Sequence, residues 1–229
     1  MKVALYAIPT PLGGAPAEAL PAPALDIVRS LRDFAVENAK SARGFLGAIG
    51  MPCPIREIRT TEIGKDVHSL IVPLREGRSL GLLSEAGCPA IADPGAALVE
   101  AAHREGFRVV PLVGPCAITL ALMASGFDGQ RFAFCGYLPR EKSAREARIR
   151  ALEKRSREEQ ETEIFIETPY RNDAMLASLL AACSARTRLC VAIDLTLPGE
   201  SVAARQVAEW RRARFSIGRR PAVFLLCAA

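Results

Sequence analysis

The feature that most limits what this chain can fold into is an alternation of short apolar runs with longer segments of helical spacing. VALYAI (3–8), SLGLL (79–83) and CVAIDL (190–195) lack the polar residue at every second position that a half-exposed strand carries, so they suit strands covered on both faces. Strands are expected near 2–8, 34–37, 54–58, 79–83, 107–112, 131–137, 163–167, 189–195 and 222–227. Helices are expected near 24–32, 38–49, 65–76 (bent or ended near Pro73), 94–104, 141–160, 172–183 and 201–212, with a compact one opened by the break at 113–119 and ending at Gly126. Such alternation defines α/β layers. Proline and alanine dominate 9–23, which reads as irregular.

A length of 229 residues leaves room for one large domain or two small ones. The break Val113-Gly114-Pro115-Cys116-Ala117-Ile118-Thr119 is the best boundary, dividing the chain into 1–113 and 114–229. Half of the residues are hydrophobic and 24% are charged, which calls for a packed core and excludes wholesale disorder. A net charge of +5 favours a polyanionic partner only mildly. The seven cysteines form no CxxC pair and only two histidines accompany them, so no metal site is expected. Cys190 and Cys227 sit in apolar runs, as small core residues of a reducing compartment do. The first apolar run is too short for a signal peptide and no segment approaches a membrane span, so a cytoplasmic protein is expected.

The stretch GLLSEAGCPAIADPG (81–95) concentrates the turn chemistry. It reads as a buried strand, a tight loop of small residues and a helix start, with Asp93 as N-cap and Pro94 in the first helical position. Gly87 lets the backbone approach a ligand where a Cβ would collide. Ligands of open α/β sheets bind beyond the carboxyl ends of the strands. The alternative is an ordinary turn between strand and helix.

Ser84-Glu85-Ala86-Gly87-Cys88-Pro89, Asp93-Pro94-Gly95, Val113-Gly114-Pro115-Cys116-Ala117, the segment RFAFCGYLPR (131–140) and Glu167-Thr168-Pro169-Tyr170-Arg171 follow one another in an order that resembles the tetrapyrrole methylase family. Within it the chain is most similar to the ribosomal RNA branch, the small-subunit methyltransferase I type, which methylates a cytidine 2′-hydroxyl. The resemblance is collinear and covers nearly the whole chain. It implies two α/β domains with S-adenosylmethionine in the cleft between them, the first providing the acceptor side and part of the cofactor site and the second serving cofactor binding and dimerisation. It also implies a homodimer and, as partner, rRNA or the small ribosomal subunit. Carried onto this sequence, the cofactor is expected at Pro9, at the backbone of Glu85, Ala86 and Gly87, at Cys116, Ala117 and Ile118, at Tyr170, at Leu195 and Thr196, and at Ala222.

These residue types fit the chemistry. A sulfonium methyl is attacked in line, so alignment matters most and no metal is required. An alcohol acceptor must also lose a proton, which calls for a base within hydrogen-bond reach. The rRNA branch carries Glu-Asp-Thr-Arg after its second strand, whereas this chain has Glu37-Asn38-Ala39-Lys40, keeping the acid and replacing arginine by lysine. The chain also stops at its last strand, without the small C-terminal extension of that branch. Acceptor chemistry is therefore assigned to Glu37, Lys40 and Arg171, with a tetrapyrrole or other small-molecule methyltransferase, or an inactive cofactor-binding relative, as alternatives.

Each of these residues also has a plain structural reading. Glu37 fits a helix N-terminal acid, worth about 0.3–1 kcal/mol. Lys40 and Arg43 fit solvated charges, and His68 and His103 fit surface or packing roles within helices. The basic residues of 140–157 and of 205–220 either form salt-bridged faces or together neutralise several phosphates.

Overall fold

The computed structural model describes residues 3–64 and 66–228. The chain divides into two compact units, Met1–Cys116 and Ala117–Ala229.

In the first unit β1 (Ala4–Ile8), β2 (Asp33–Val36), β3 (Arg59–Glu62), β4 (Leu80–Leu83) and β5 (Arg108–Pro111) form one sheet in the order β3-β2-β4-β1-β5. Every pairing in it is parallel. Helices α1 (Pro16–Ala19), α2 (Ala22–Ser30) and α3 (Ala39–Ala48), with the residue that follows α1, contribute Leu20, Leu25, Val28, Ala42 and Leu46 to a core with Tyr6, Ile8, Phe34 and Val36. Helices α4 (Val67–Leu70), α5 (Val72–Arg75) and α6 (Ala96–Arg104) bring Leu70, Leu74, Leu98 and Ala102 against Leu5, Ala35 and Leu82, forming a second core. The central strands are thus covered on both faces, as their unbroken apolar character requires. Gly81 sits where a Cβ would meet Phe34 Cδ1 at 2.5 Å and Ile8 Cδ1 at 2.8 Å, so the core closes directly over its backbone.

The second unit starts with α7 (Ala117–Ser125) and continues through β6 (Phe132–Tyr137), α8 (Lys142–Glu159), β7 (Thr162–Ile166), α9 (Asn172–Ala182), β8 (Arg188–Ile193), β9 (Ser201–Gln206), α10 (Val207–Arg212) and β10 (Ala222–Cys227). Its sheet is mixed, in the order β6-β7-β10-β8-β9, with only β6 and β7 parallel. Ile149, Leu152, Met175, Leu179, Val207 and Trp210 pack from α8, α9 and α10 onto Phe165, Val191 and Phe224. The Phe165 and Phe224 rings stack at 5.7 Å between centroids. Two buried carboxylates brace this unit. Glu163 on β7 is bound by Arg155 and Cys135, and Glu153 accepts from the Thr187 hydroxyl and, at 2.7 Å, from the Ser184 amide.

Several expectations need correction. Residues 54–58 form a 3-10 turn, Ile55–Glu57, and the strand follows at Arg59–Glu62, because Pro54 leads the chain into the turn and Ile58 closes it. The 201–212 segment is half strand: Ser201–Gln206 completes the sheet edge against β8 before α10 begins. The 9–23 stretch is not wholly irregular, since Pro16 starts a short helix. Asp93 does not cap α6; Gly95 does, at a φ of 134°. The expected helix across 65–76 is two short ones broken at Ile71, and its expected start at Lys65, like that of the first strand at Lys2, lies outside the described residues.

Candidate functional site

A parallel sheet sends all its strands out at one edge. Pro9 follows β1, Glu37 follows β2, Ser84 follows β4 and Leu112 to Cys116 follow β5, so the first loop, the acid and the small-residue turns gather there. The chain after β1 returns to β2 through α1 and α2, whereas the chain after β4 reaches β5 through α6 in the other core. Neighbouring strands whose connections leave in opposite directions form a switch point, where α/β sheets place their ligands.

The two loops at that point are sewn together by backbone. Thr10 N–H donates to Gly87 O at 2.9 Å and Gly87 N–H donates to Thr10 O at 3.0 Å. Ser84 Oγ donates to Gly87 O at 3.1 Å. Gly87 holds a φ of 80°, and a Cβ on it would press Leu12 Cδ2 at 3.2 Å. Gly114 is tighter still, for a Cβ there would meet Pro9 Cβ at 2.4 Å. Pro9 and Gly87 are buried, while Glu85 and Ala86 are exposed just beyond them. The result is a rim of backbone with few side chains, fixed by the loops that support it.

Acidic groups border this rim. Glu37 Oε2 accepts the Glu85 amide at 3.1 Å, and Ser41 Oγ donates to Glu85 Oε1 at 2.8 Å. The helix-cap reading of Glu37 therefore passes to its neighbour: Asn38 Oδ1 accepts from the amides of Lys40 at 2.8 Å and Ser41 at 3.2 Å. Asp93 stands in the field of Glu37 and Glu85, and burial first, then those two carboxylates, push its carboxyl up to about 6. Its freedom follows from the backbone. Ala90 and Ala92 hold φ values of 64° and 66°, delaying the helix to Ala96 and releasing Asp93 from capping. The sequence reading missed Asp93 as a chemical group, because Asp-Pro-Gly reads equally well as a helix start. Lys40 is exposed on the first turn of α3, and Arg43 Nε donates to Ala39 O at 2.9 Å.

The second unit brings its own candidate residues to one end of its sheet. Glu167 follows β7, Asp194 to Thr196 follow β8, and Ala222 opens β10. Arg171 is bound to Glu167, whose side chain is 1% exposed, and Glu167 Oε1 accepts the Thr168 amide at 2.7 Å. The Arg171 charge thus shapes the Thr168-Pro169-Tyr170 turn and leaves Tyr170 outside it, 69% exposed. Asp194 and Thr196 take φ values of 50° and 71°, a strain that persists only where the surroundings fix it. The fixing bonds are Asp194 N–H to Pro221 O at 3.0 Å and Thr196 N–H to Glu200 Oε2 at 2.7 Å. Leu195 and Ala222 are buried beside them. Cys116 ends the first unit, and Ala117 and Ile118 open α7 in the second. Glu37 and Lys40 fall in the first unit and Arg171 in the second.

Much of the basic charge is structural. Arg145 is buried, donating to Ser178 Oγ at 2.9 Å and Arg140 O at 2.8 Å. Arg211 binds Leu180 O at 2.9 Å and Cys183 O at 2.8 Å at the end of α9, and Arg205 lies 5.1 Å over Trp210. Lys142 and Arg150 share Glu146. Arg148, Arg212, Arg214 and Arg219 are all exposed on the surface.

The fold and these turns define an α/β protein that presents backbone-rich loops beyond the ends of its strands. Comparison with known proteins makes this specific. A profile of the tetrapyrrole (corrin/porphyrin) methylases matches residues 18–210. The chain is similar to the ribosomal RNA small subunit methyltransferase I of Vibrio cholerae, 33% identical over 90% of this chain and 69% of that protein. With that of Escherichia coli O157:H7 the identity is 31%, over 90% of this chain and 70% of the relative. Among solved structures, the methyltransferase CobJ superposes with a TM-score of 0.65 at 17% identity, covering 99% of this chain and 95% of that one. Cobalt precorrin-4 methyltransferase CbiF superposes at 0.62 and 15%, covering 97% and 94%. The chain belongs to the tetrapyrrole methylase family and is a methyltransferase. Membership implies S-adenosylmethionine as methyl donor. The residues present fit such a group: glycines where a Cβ would clash, exposed backbone at Glu85 and Ala86, and carboxylates favourable to a sulfonium cation.

Proposed function

We propose that this protein transfers the methyl group of S-adenosylmethionine to a ribose hydroxyl of small-subunit ribosomal RNA. The observation that carries the reading is the 31–33% identity, across 90% of the chain, to relatives named as ribosomal RNA small subunit methyltransferases. The acidic edge of the first unit supports it, because hydroxyl methylation needs a proton acceptor and Asp93 has a proton affinity suited to one near neutral pH.

Bound S-adenosylmethionine supplies an electrophilic methyl carbon; the protein supplies alignment and a place for the acceptor's proton. Pro9, Glu85, Ala86, Gly87 and Cys116 in the first unit, and Ala117, Ile118, Tyr170, Leu195, Thr196 and Ala222 in the second, hold the cofactor. Glu37 orients the Glu85 backbone through its carboxylate, and Asp93 accepts the hydroxyl proton. Lys40 is the cation offered to a phosphate of the acceptor, and Arg171 keeps the Tyr170 turn in shape. The working form is a cytoplasmic homodimer. Exposed Met123, Phe132 and Tyr137 on the second unit support the dimer. Among the described residues no helix is long and apolar enough to cross a membrane.

The test is transfer from labelled S-adenosylmethionine into 30S subunits lacking the modification. Incorporation into a ribose of 16S RNA is the expected result. Incorporation only into a corrinoid or porphyrinoid acceptor moves the protein to the tetrapyrrole branch. Cofactor binding without transfer to either makes it an inactive relative.

A further inference from the structure

The turn after β4 and the segment after β5 meet through two cysteines. Cys88 Sγ donates to the Pro115 carbonyl at 3.4 Å, and the Cys88 and Cys116 thiols lie within hydrogen-bonding reach of each other. On the adjoining residue, a Cβ at Gly87 would come within 3.8 Å of the same Pro115 oxygen, so the backbones are already in contact. Neither cysteine is in a disulfide and both are half-buried, unlike Cys183 and Cys190, which are enclosed in the core.

We propose that Cys88 and Cys116 are a site of reversible oxidation, closing to a disulfide that locks the turn after β4 to the segment after β5 and blocks cofactor binding. The inference rests on the reading that Glu85 to Gly87 and Cys116 touch S-adenosylmethionine. The oxidant is a hydroperoxide. The Cys116 thiol gives up its proton and its sulfur attacks a peroxide oxygen; the O–O bond breaks, and with hydrogen peroxide the hydroxide that leaves takes up that proton, so the products are a sulfenic acid and one water. Cys88 sulfur then attacks the Cys116 sulfur, the S–O bond breaks, and hydroxide leaves with the Cys88 proton as a second water. Two electrons pass from the sulfurs to the peroxide, and a dithiol reductant returns them. Cys88 takes the second role because burial, and then Cys116 beside it, push its thiol up to about 11, so it keeps its proton against Pro115. Contracting a hydrogen-bonded contact to an S–S bond of about 2 Å draws the two backbones together. The movement reaches Gly87, the neighbour of Cys88, whose amide and carbonyl hold the first loop through Thr10.

The experiment compares one preparation in three states: reduced, treated with hydrogen peroxide, and re-reduced with dithiothreitol. Peptide mapping without reductant is expected to show a Cys88–Cys116 linked peptide, two hydrogens lighter than the sum of its parts, which Cys88→Ser removes. Calorimetric titration with S-adenosylmethionine is expected to show affinity falling by more than about tenfold on oxidation and recovering on re-reduction. Peroxide yielding only sulfinic acid or bridges between other cysteines overturns the site. A Cys88–Cys116 bridge that leaves affinity unchanged overturns the regulation. Reduced protein that never binds S-adenosylmethionine overturns the functional proposal instead, while the peptide map still decides whether the bridge forms.

Discussion

Asp93 shows how a single carboxyl acquires chemistry from its surroundings. Burial and the charges of Glu37 and Glu85 hold its proton to about pH 6, so methyl transfer is expected to rise as pH passes through 6. Asp93→Asn is expected to lower the single-turnover rate by about 10²–10⁴-fold and to abolish that rise. A variant with the wild-type pH profile removes Asp93 from the chemistry. Stability follows with a definite sign. The folded-state value lies above the unfolded one, so the favourable contribution is complete below the unfolded value of 3.8 and lost as pH rises through about 6. Asp93→Asn should therefore melt above wild type at pH 8 and alongside it near pH 3, as thermal scans at the two pH values will show. Gly114 makes the opposite kind of case, because it has no room to change. A Cβ there lies 2.4 Å from Pro9 Cβ and 2.8 Å from Leu20 Cδ2, so Gly114→Ala should cost about 1–3 kcal/mol in urea unfolding and weaken S-adenosylmethionine binding.

Among the elements, what could be read in advance follows from how each is stabilised. The long apolar strands, and α8 with Glu141 and Gln160 at its ends, lie close to where pattern and capping place them. The short run after Pro54 could not be resolved by periodicity, since a few apolar residues suit a 3-10 turn or a strand equally. Ser201 to Gln206 is alanine-rich and helix-like locally; pairing with β8 along six residues makes it a strand, and the Gln206–Glu209 capping box starts α10 at once. Of the candidate site, the position of the glycine turns and of Glu37 beyond the strand ends was legible because turn chemistry is local. The ties of Arg171 to Glu167 and Arg145 to Ser178 depend on side-chain contacts that periodicity does not encode. Arg155→Met strands the fully buried Glu163 charge and should destabilise the protein by about 3 kcal/mol in chemical denaturation. Glu141 caps α8 through the amides of Ser143 and Ala144, and the Ser143 hydroxyl and those amides hold its carboxyl down to about 2. Its contribution is present above the unfolded value of 4.5 and lost as pH falls through about 2, so Glu141→Ala should lower the melting temperature at pH 7 and have little effect near pH 2.

At the scale of the molecule, the net charge of +5 is spread over arginines of two kinds: those holding helix ends and carboxylates, and surface ones such as Arg148, Arg212, Arg214 and Arg219. The second kind is the better placed to meet phosphate. Binding to 16S RNA should therefore weaken with salt, and Arg212→Gln combined with Arg214→Gln should reduce the slope of log affinity against log salt by about 0.7 for each phosphate that is no longer neutralised. An unchanged slope in filter-binding titrations places the RNA elsewhere. The second sheet sets a further condition, on synthesis. Its middle position belongs to Ala222–Cys227, which pairs with Thr162–Ile166 on one side and Arg188–Ile193 on the other. Until the ribosome has made that segment, its two neighbours have no partner between them and expose apolar faces. Nascent chains stalled before Ala222 should therefore be cut readily by protease within the second unit and need a chaperone's cover, and insertion of the middle strand is the event that makes them resistant.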